Sequence, residues 1–173
     1  GAASATLAAA ALMEAADSSR PFSDELAALQ ALTPPSADLR ALQAAARTGA
    51  PSRASLAVEF PDYAARAAVA ARGYGGATVW DRIRAAVARV VAIRRIGEAA
   101  VTGPDAVLAQ AETQLGDGDV DLALRTLDRL PPASREALGP WLARAQRRAE
   151  VDRRIAAVRA QALDDLARAR NGP

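Results

Sequence analysis

Asp117, Asp119 and Asp121 stand at the first, third and fifth places of a calcium-loop spacing, the one stretch of the chain where carboxylates recur as metal ligands do. A calcium loop needs glycine at its sixth place for the sharp turn and a bidentate glutamate at its twelfth. Leu122 and Asp128 occupy those places, so the stretch reads as a turn between helices. Gly73-Tyr74-Gly75-Gly76 lacks the lysine and following Ser/Thr of a phosphate loop and reads as a flexible connection. Histidine and cysteine are absent, which removes the usual metal ligands, thiol chemistry, disulfides and the commonest general base. No serine sits in a nucleophile elbow. The adjacent acids Asp24-Glu25 and Asp164-Asp165 read as solvated faces or helix-dipole partners. No catalytic constellation remains, and the expectation is a protein that is not an enzyme and uses no cofactor or metal.

The chemistry left is that of arginine. All 22 basic residues are arginine, a bias that with abundant alanine reflects a GC-rich coding sequence and proves no bidentate recognition. Net charge is only +2, but its distribution is uneven. Arginine against Asp plus Glu counts 4 against 6 before Pro61, 7 against 2 to Gly97, 2 against 7 to Leu130, and 9 against 5 beyond. Alternating blocks of this kind neutralise one another within a fold, pair between copies, or offer a basic face to an anionic surface. The densest is TVWDRIRAAVARVVAIRRIG, residues 78–97, with five arginines and one carboxylate. On a helix Val79, Trp80, Ile83, Val87, Val90 and Val91 fall within about 120° of one another, with Arg82 and Arg89 opposite and Arg84 and Arg95 flanking. Arg94 falls on the apolar side and Ile93 and Ile96 on the polar side. Such a helix can lie flat on an anionic bilayer, and it can equally be a bundle helix with a solvated back; periodicity alone favours the second.

The elements that carry these residues all read as helix. Hydrophobic residues make up 51% of 173, enough for one modest core or two small helical units, though alanine supplies much of it. No apolar run approaches a transmembrane length, and the alanine-rich start lacks a basic leader region. A helix over 4–16 ends at Asp17-Ser18-Ser19-Arg20-Pro21, and the next runs from Ser23, as N-cap, to Leu32. Ser36 caps a third to about Arg47. A short helix reaches Phe60 and breaks at Pro61, and another reaches Arg72. Pro104 opens a helix bearing Leu108, Ala111 and Leu115, and Asp119 caps its partner bearing Leu122, Ala123, Leu127 and Leu130. A long helical stretch follows over about 133–169, restarting at Gly139-Pro140. The expected fold is all-α: an elongated helical bundle with hairpins, one basic amphipathic helix and a long C-terminal helix. Its expected organisation is an N-terminal alanine-rich region, 1–77, the basic helix, 78–97, and a helical bundle, 98–173.

Nucleic acid is a poor fit for this arginine. Only Trp80 accompanies the basic helix as a stacking platform, and alanine, valine and isoleucine stand where base-reading side chains belong. A protein-binding adaptor fits better, because the hairpin over 104–130 followed by Trp141-Leu142 looks like one tetratricopeptide-type unit. A partner helix would then lie in a groove around Leu108, Leu127 and Trp141. A single unit is not an array, since repeat proteins generally need three or more to bury a continuous core.

The order of features resembles the C-terminal domain of mitofilin, the organiser of crista junctions, in its alphaproteobacterial form. The matching pieces are RPFSDELAALQAL, TGAPSRASLAVEFPDYA, WDRIRAAVARVVAIRRIG, AVLAQAETQLGDGDVDLALRTLDRLP and WLARAQRRAEVDRRI, in that order over nearly the whole chain. The resemblance implies a membrane-binding and membrane-shaping scaffold on the periplasmic side of an inner or intracytoplasmic membrane. The family's anchor and coiled coil are not evident in this sequence, so the terminal region alone is implied. The family's lipid-binding helix maps onto Trp80, Arg82, Ile83, Arg84, Val87, Arg89, Val90, Arg94 and Arg95, with anionic lipid as partner. A homo-oligomer, dimer or higher, is implied as well. The bundle over about 104–155 would contact a small partner protein, in mitochondria a CHCH-domain subunit.

Overall fold

The structure, a computed structural model, describes residues 1–74 and 103–170. Among the described residues every regular element is a helix, so the all-α expectation holds. The helices are α1 (Ala2–Asp17), α2 (Ser23–Gln30), α3 (Ala37–Thr48), α4 (Arg53–Tyr74), α5 (Pro104–Gly116), α6 (Val120–Leu127), α7 (Pro132–Ala137) and α8 (Gly139–Arg170). They belong to two compact units: Gly1–Leu56 with Ala143–Pro173, and Ala57–Leu142.

Local chemistry places most of these boundaries. Ser36 Oγ accepts from the Leu39 N–H at 3.2 Å and Asp119 Oδ1 from the Leu122 N–H at 2.9 Å, so both expected caps close the open donors of a helix start. Ser52 does the same for α4, accepting from the Ser55 N–H at 3.1 Å. Pro104 lies in the first turn of α5, and Gly139-Pro140 begins α8, where a missing N–H costs no intrahelical bond.

Two local expectations are corrected. Ser23 is not the N-cap of α2: Phe22 holds that place without a side-chain cap, while its ring is buried and its N–H is held by the Ala46 carbonyl at 2.8 Å. Packing and a backbone bond to α3 set this helix start in place of a hydroxyl. Pro61 does not break α4, which runs through it. The proline lies on the exposed side, where water can reach the Ala57 carbonyl that loses its intrahelical donor.

In the first unit α2 packs on α1 and α3. Its core joins Leu12, Phe22, Leu26, Leu29, Leu39 and Leu42 to Val151, Ile155 and Val158 of α8, with Ala9, Ala16, Ala46, Ala50 and Ala162 filling the closer approaches. An alanine methyl contributes about 0.8 kcal/mol on burial and a leucine about 1.5–3, so the few large side chains carry this core. Gly49 makes the return from α3 possible. Its φ is +76°, and a Cβ there would overlap the Ser19 carbonyl, so the turn needs both the left-handed conformation and the missing side chain.

In the second unit α5 and α6 form the expected antiparallel hairpin. Phe60 and Trp141 are fully buried, their ring centroids 4.8 Å apart and tilted by 57°. Leu108, Leu115, Val120, Leu127 and Leu138 are buried in the same unit. Ser134 is buried too, and its hydroxyl donates to the Ala67 carbonyl at 2.9 Å, tying α7 to α4.

Candidate functional site

Polar chemistry in the first unit converges where α8 passes the C-terminal end of α1. Arg148 is 1% exposed and occupies a place in the stripe Ala145, Arg148, Val151, Ile155, Val158 that faces the core. A buried guanidinium must find acceptors, and this one donates to the Ala16 carbonyl at 2.6 Å and to Asp152 one turn along α8. The positive group lies at the negative end of α1, where the macrodipole favours it. Asp152 also receives Arg53, whose Nε lies 3.2 Å from Oδ2 and whose Nη2 lies 2.9 Å from Oδ1, and Arg53 pairs in turn with Asp17. The result is a chain of alternating charges that joins α1, α4 and α8.

A second group lies farther along α8. Arg154 bridges Asp38 of α3 at 2.7 Å and Glu150 at 2.7 Å, and Arg153 adds a contact to Glu150 at 2.8 Å. The Arg154 hydrogen bond holds the Glu150 carboxyl below its ordinary range, and Arg153 adds to this. The same pairing, led by Asp38 and followed by Glu150, raises Arg154 above its ordinary value. Beside these pairs a groove of about 1020 Å³ runs between α3 and α8, walled by Ala41, Ala44, Ala45 and Ala143 and edged by Arg147.

Three acids of the 98–130 block pair with arginines of their own unit. Asp105 meets Arg72 at 3.8 Å, Asp128 meets Arg135 at 3.2 Å, and Asp121 pairs with Arg125. Asp119 caps α6, so two of the three carboxylates with calcium-loop spacing serve the helix itself. Among the described residues no cluster of acids is arranged to hold a metal ion. Nor is any helix among them long and apolar enough to cross a membrane.

Trp80, Arg82, Ile83, Arg84, Val87, Arg89, Val90, Arg94 and Arg95 lie outside the described residues. Leu108, Leu127 and Trp141 are 5%, 1% and 0% exposed, so their apolar surfaces are already covered within the second unit. Sequence reading had no place for the Arg148 network. Its one signal is an arginine at a core position of a helical stripe, which periodicity alone assigns to solvent or to an imperfect face.

The family model for mitofilin, described as a mitochondrial inner membrane protein, matches residues 3–162. The chain belongs to the mitofilin family. Comparison with curated proteins and with solved structures gives no match. Mitofilin proteins are structural scaffolds associated with the inner membrane and are not an enzyme family. The match takes in both compact units and the basic segment between α4 and α5.

Proposed function

We propose that this chain is the membrane-binding and membrane-shaping part of a mitofilin-type organiser on the periplasmic side of an alphaproteobacterial inner membrane. The family match across 3–162, which includes the basic segment 78–97, is the observation that carries this reading. Trp80, Ile83, Val87 and Val90 enter the headgroup boundary while Arg82, Arg84, Arg89, Arg94 and Arg95 attract anionic lipid. Each arginine near such a surface contributes at most about 1 kcal/mol, and salt screens it, so the segment's five arginines less one carboxylate bind weakly as one copy. Homo-oligomerisation supplies the missing affinity, because several linked copies bind together and impose a curved array on the bilayer. A small partner protein on the helical bundle is the further contact in this proposal.

An adaptor that received a partner helix on Leu108, Leu127 and Trp141 would first have to uncover them. That cost favours the membrane reading. Co-sedimentation with liposomes of increasing anionic lipid content, at low and high salt, tests it against an Arg82→Ala/Arg84→Ala/Arg89→Ala variant of unchanged helicity. Binding that rises with lipid charge, falls with salt and is lost in the variant is the expected result. Unchanged binding in the variant would sink the mechanism.

A further inference from the structure

Beside the Arg148 network the first unit contains a cavity of about 420 Å³, within the size range of small-ligand sites. Its apolar wall includes Met13, Ile155 and Leu163, and its polar wall Arg53, Arg148 and Arg159. Asp152 is the one carboxylate lining it. Charge is not balanced around this space. Asp152 and the neighbouring Asp17 serve Arg53 and Arg148, as described above, and two carboxylates match those two guanidiniums. Arg159 is the third, and its only described contact is with the Met13 sulfur at 3.8 Å. It is exposed, and it stands beside two apolar side chains that are themselves exposed, Met13 at 41% and Leu163 at 44%. Arg148, which also lines the cavity, has its Nε buried without a hydrogen-bond partner.

An unmatched guanidinium next to uncovered apolar surface suits a ligand that is anionic at one end and apolar along its length. We propose that this cavity binds one anionic phospholipid, its phosphate on Arg159 and the start of an acyl chain over Met13 and Leu163. Guanidinium recognises phosphate through paired N–H donors, and the apolar wall removes the chain from water. The proposal rests on the membrane reading above for where such a lipid is met, and it uses none of the residues 78–97. It gives the scaffold a second, stoichiometric lipid contact on a folded unit.

The test titrates the whole chain with dioctanoyl phosphatidylglycerol below its micelle concentration, with dioctanoyl phosphatidylcholine and with inorganic phosphate, by calorimetry. Expected is saturable binding of one phosphatidylglycerol per chain, weaker binding of the zwitterionic lipid, and none of phosphate alone. Arg159→Gln, at an exposed position, should weaken it by about tenfold, the loss expected for one charge-assisted contact, and Leu163→Asp, also exposed, should weaken it by at least as much, since it removes apolar wall and sets a carboxylate near the phosphate. Arg147→Gln removes the same charge elsewhere on α8 and should bind as the parent does. So should the Arg82→Ala/Arg84→Ala/Arg89→Ala variant, which separates this site from the basic segment. Equal loss in Arg147→Gln, equal affinity for phosphate, loss confined to the triple variant, or no saturable binding would each overturn the site. Liposome binding that ignores the triple variant, with the titration intact, would overturn the membrane mechanism and leave the cavity standing.

Discussion

The two units order alanine-rich helices by different means. In the second, a tilted Phe60–Trp141 ring pair and five buried leucines supply large, shaped side chains, and a buried serine hydroxyl fastens α7 to α4. The first has Phe22 as its one buried aromatic and five alanines in its core cluster, and it adds a buried arginine and the turn at Gly49. Thin apolar packing leaves helices free to slide by a turn, because methyl groups three or four residues apart look alike to a partner. A guanidinium that must meet Asp152 and the Ala16 carbonyl of α1 does not tolerate such a slide. Where alanine supplies the helix, register is set either by a few bulky anchors or by a few polar bonds.

The largest expected effect strikes the anchors. Trp141→Ala opens a void beside Phe60 and should cost about 3–5 kcal/mol in urea unfolding followed by circular dichroism. If the cost were no greater than that of an alanine at a single leucine of the first unit, the claim that aromatic packing sets the second unit would fail. Arg148→Met keeps most of the volume and deletes the polar bonds. It leaves the Ala16 carbonyl without its donor, while Asp152, a quarter exposed, keeps Arg53. About 2 kcal/mol of destabilisation is expected, less than for a fully buried pair that loses one partner. A variant as stable as the parent would show that apolar packing alone orders the first unit.

How far these features can be read from sequence follows from their range. Ser36 and Asp119 are legible as caps because the capping bond reaches only three residues along the chain. The α5–α6 hairpin is legible because a short turn joins two apolar stripes. Phe22 at the start of α2 is not, since its reason is the Ala46 carbonyl of another helix. Pro61 reads as a break because its cost depends on which side of α4 faces water. The meeting of the first 56 residues with the C-terminal part of α8 has no local sign, and Arg148, hydrogen-bonded across more than a hundred residues of chain to the Ala16 carbonyl of α1, depends on it. Of the candidate site, the basic segment is visible as charge and period, whereas the cavity at Arg159 exists only once α1, α4 and α8 are assembled.

A smaller effect tests the turn that lets α3 return. Gly49→Ala places a side chain at positive φ against the Ser19 backbone and should cost about 1–3 kcal/mol, measured by thermal or urea unfolding. An unchanged midpoint would mean that the loop relaxes freely and that the close approach is not needed to hold α2 against α3.

The smallest effect separates the buried charges of the first unit from its exposed ones. Glu150 is held below its ordinary value of 4.5, first by its hydrogen bond from Arg154. A carboxyl with a lowered folded-state pKa contributes stability in full above that ordinary value, and the contribution disappears as pH falls through the folded-state value. Both partners are well exposed, so screening keeps the effect small, and added salt reduces it further. Glu150→Gln should therefore be slightly less stable than the parent at neutral pH and equal to it in acid, below the folded-state pKa. Arg148→Met should show little dependence on salt, since the guanidinium it removes is buried and one of its bonds is to a backbone carbonyl. If the two variants responded to salt alike, the buried network would be acting as one more surface ion pair, and the distinction between polar bonds that set register and charges that decorate a helix would disappear from this unit.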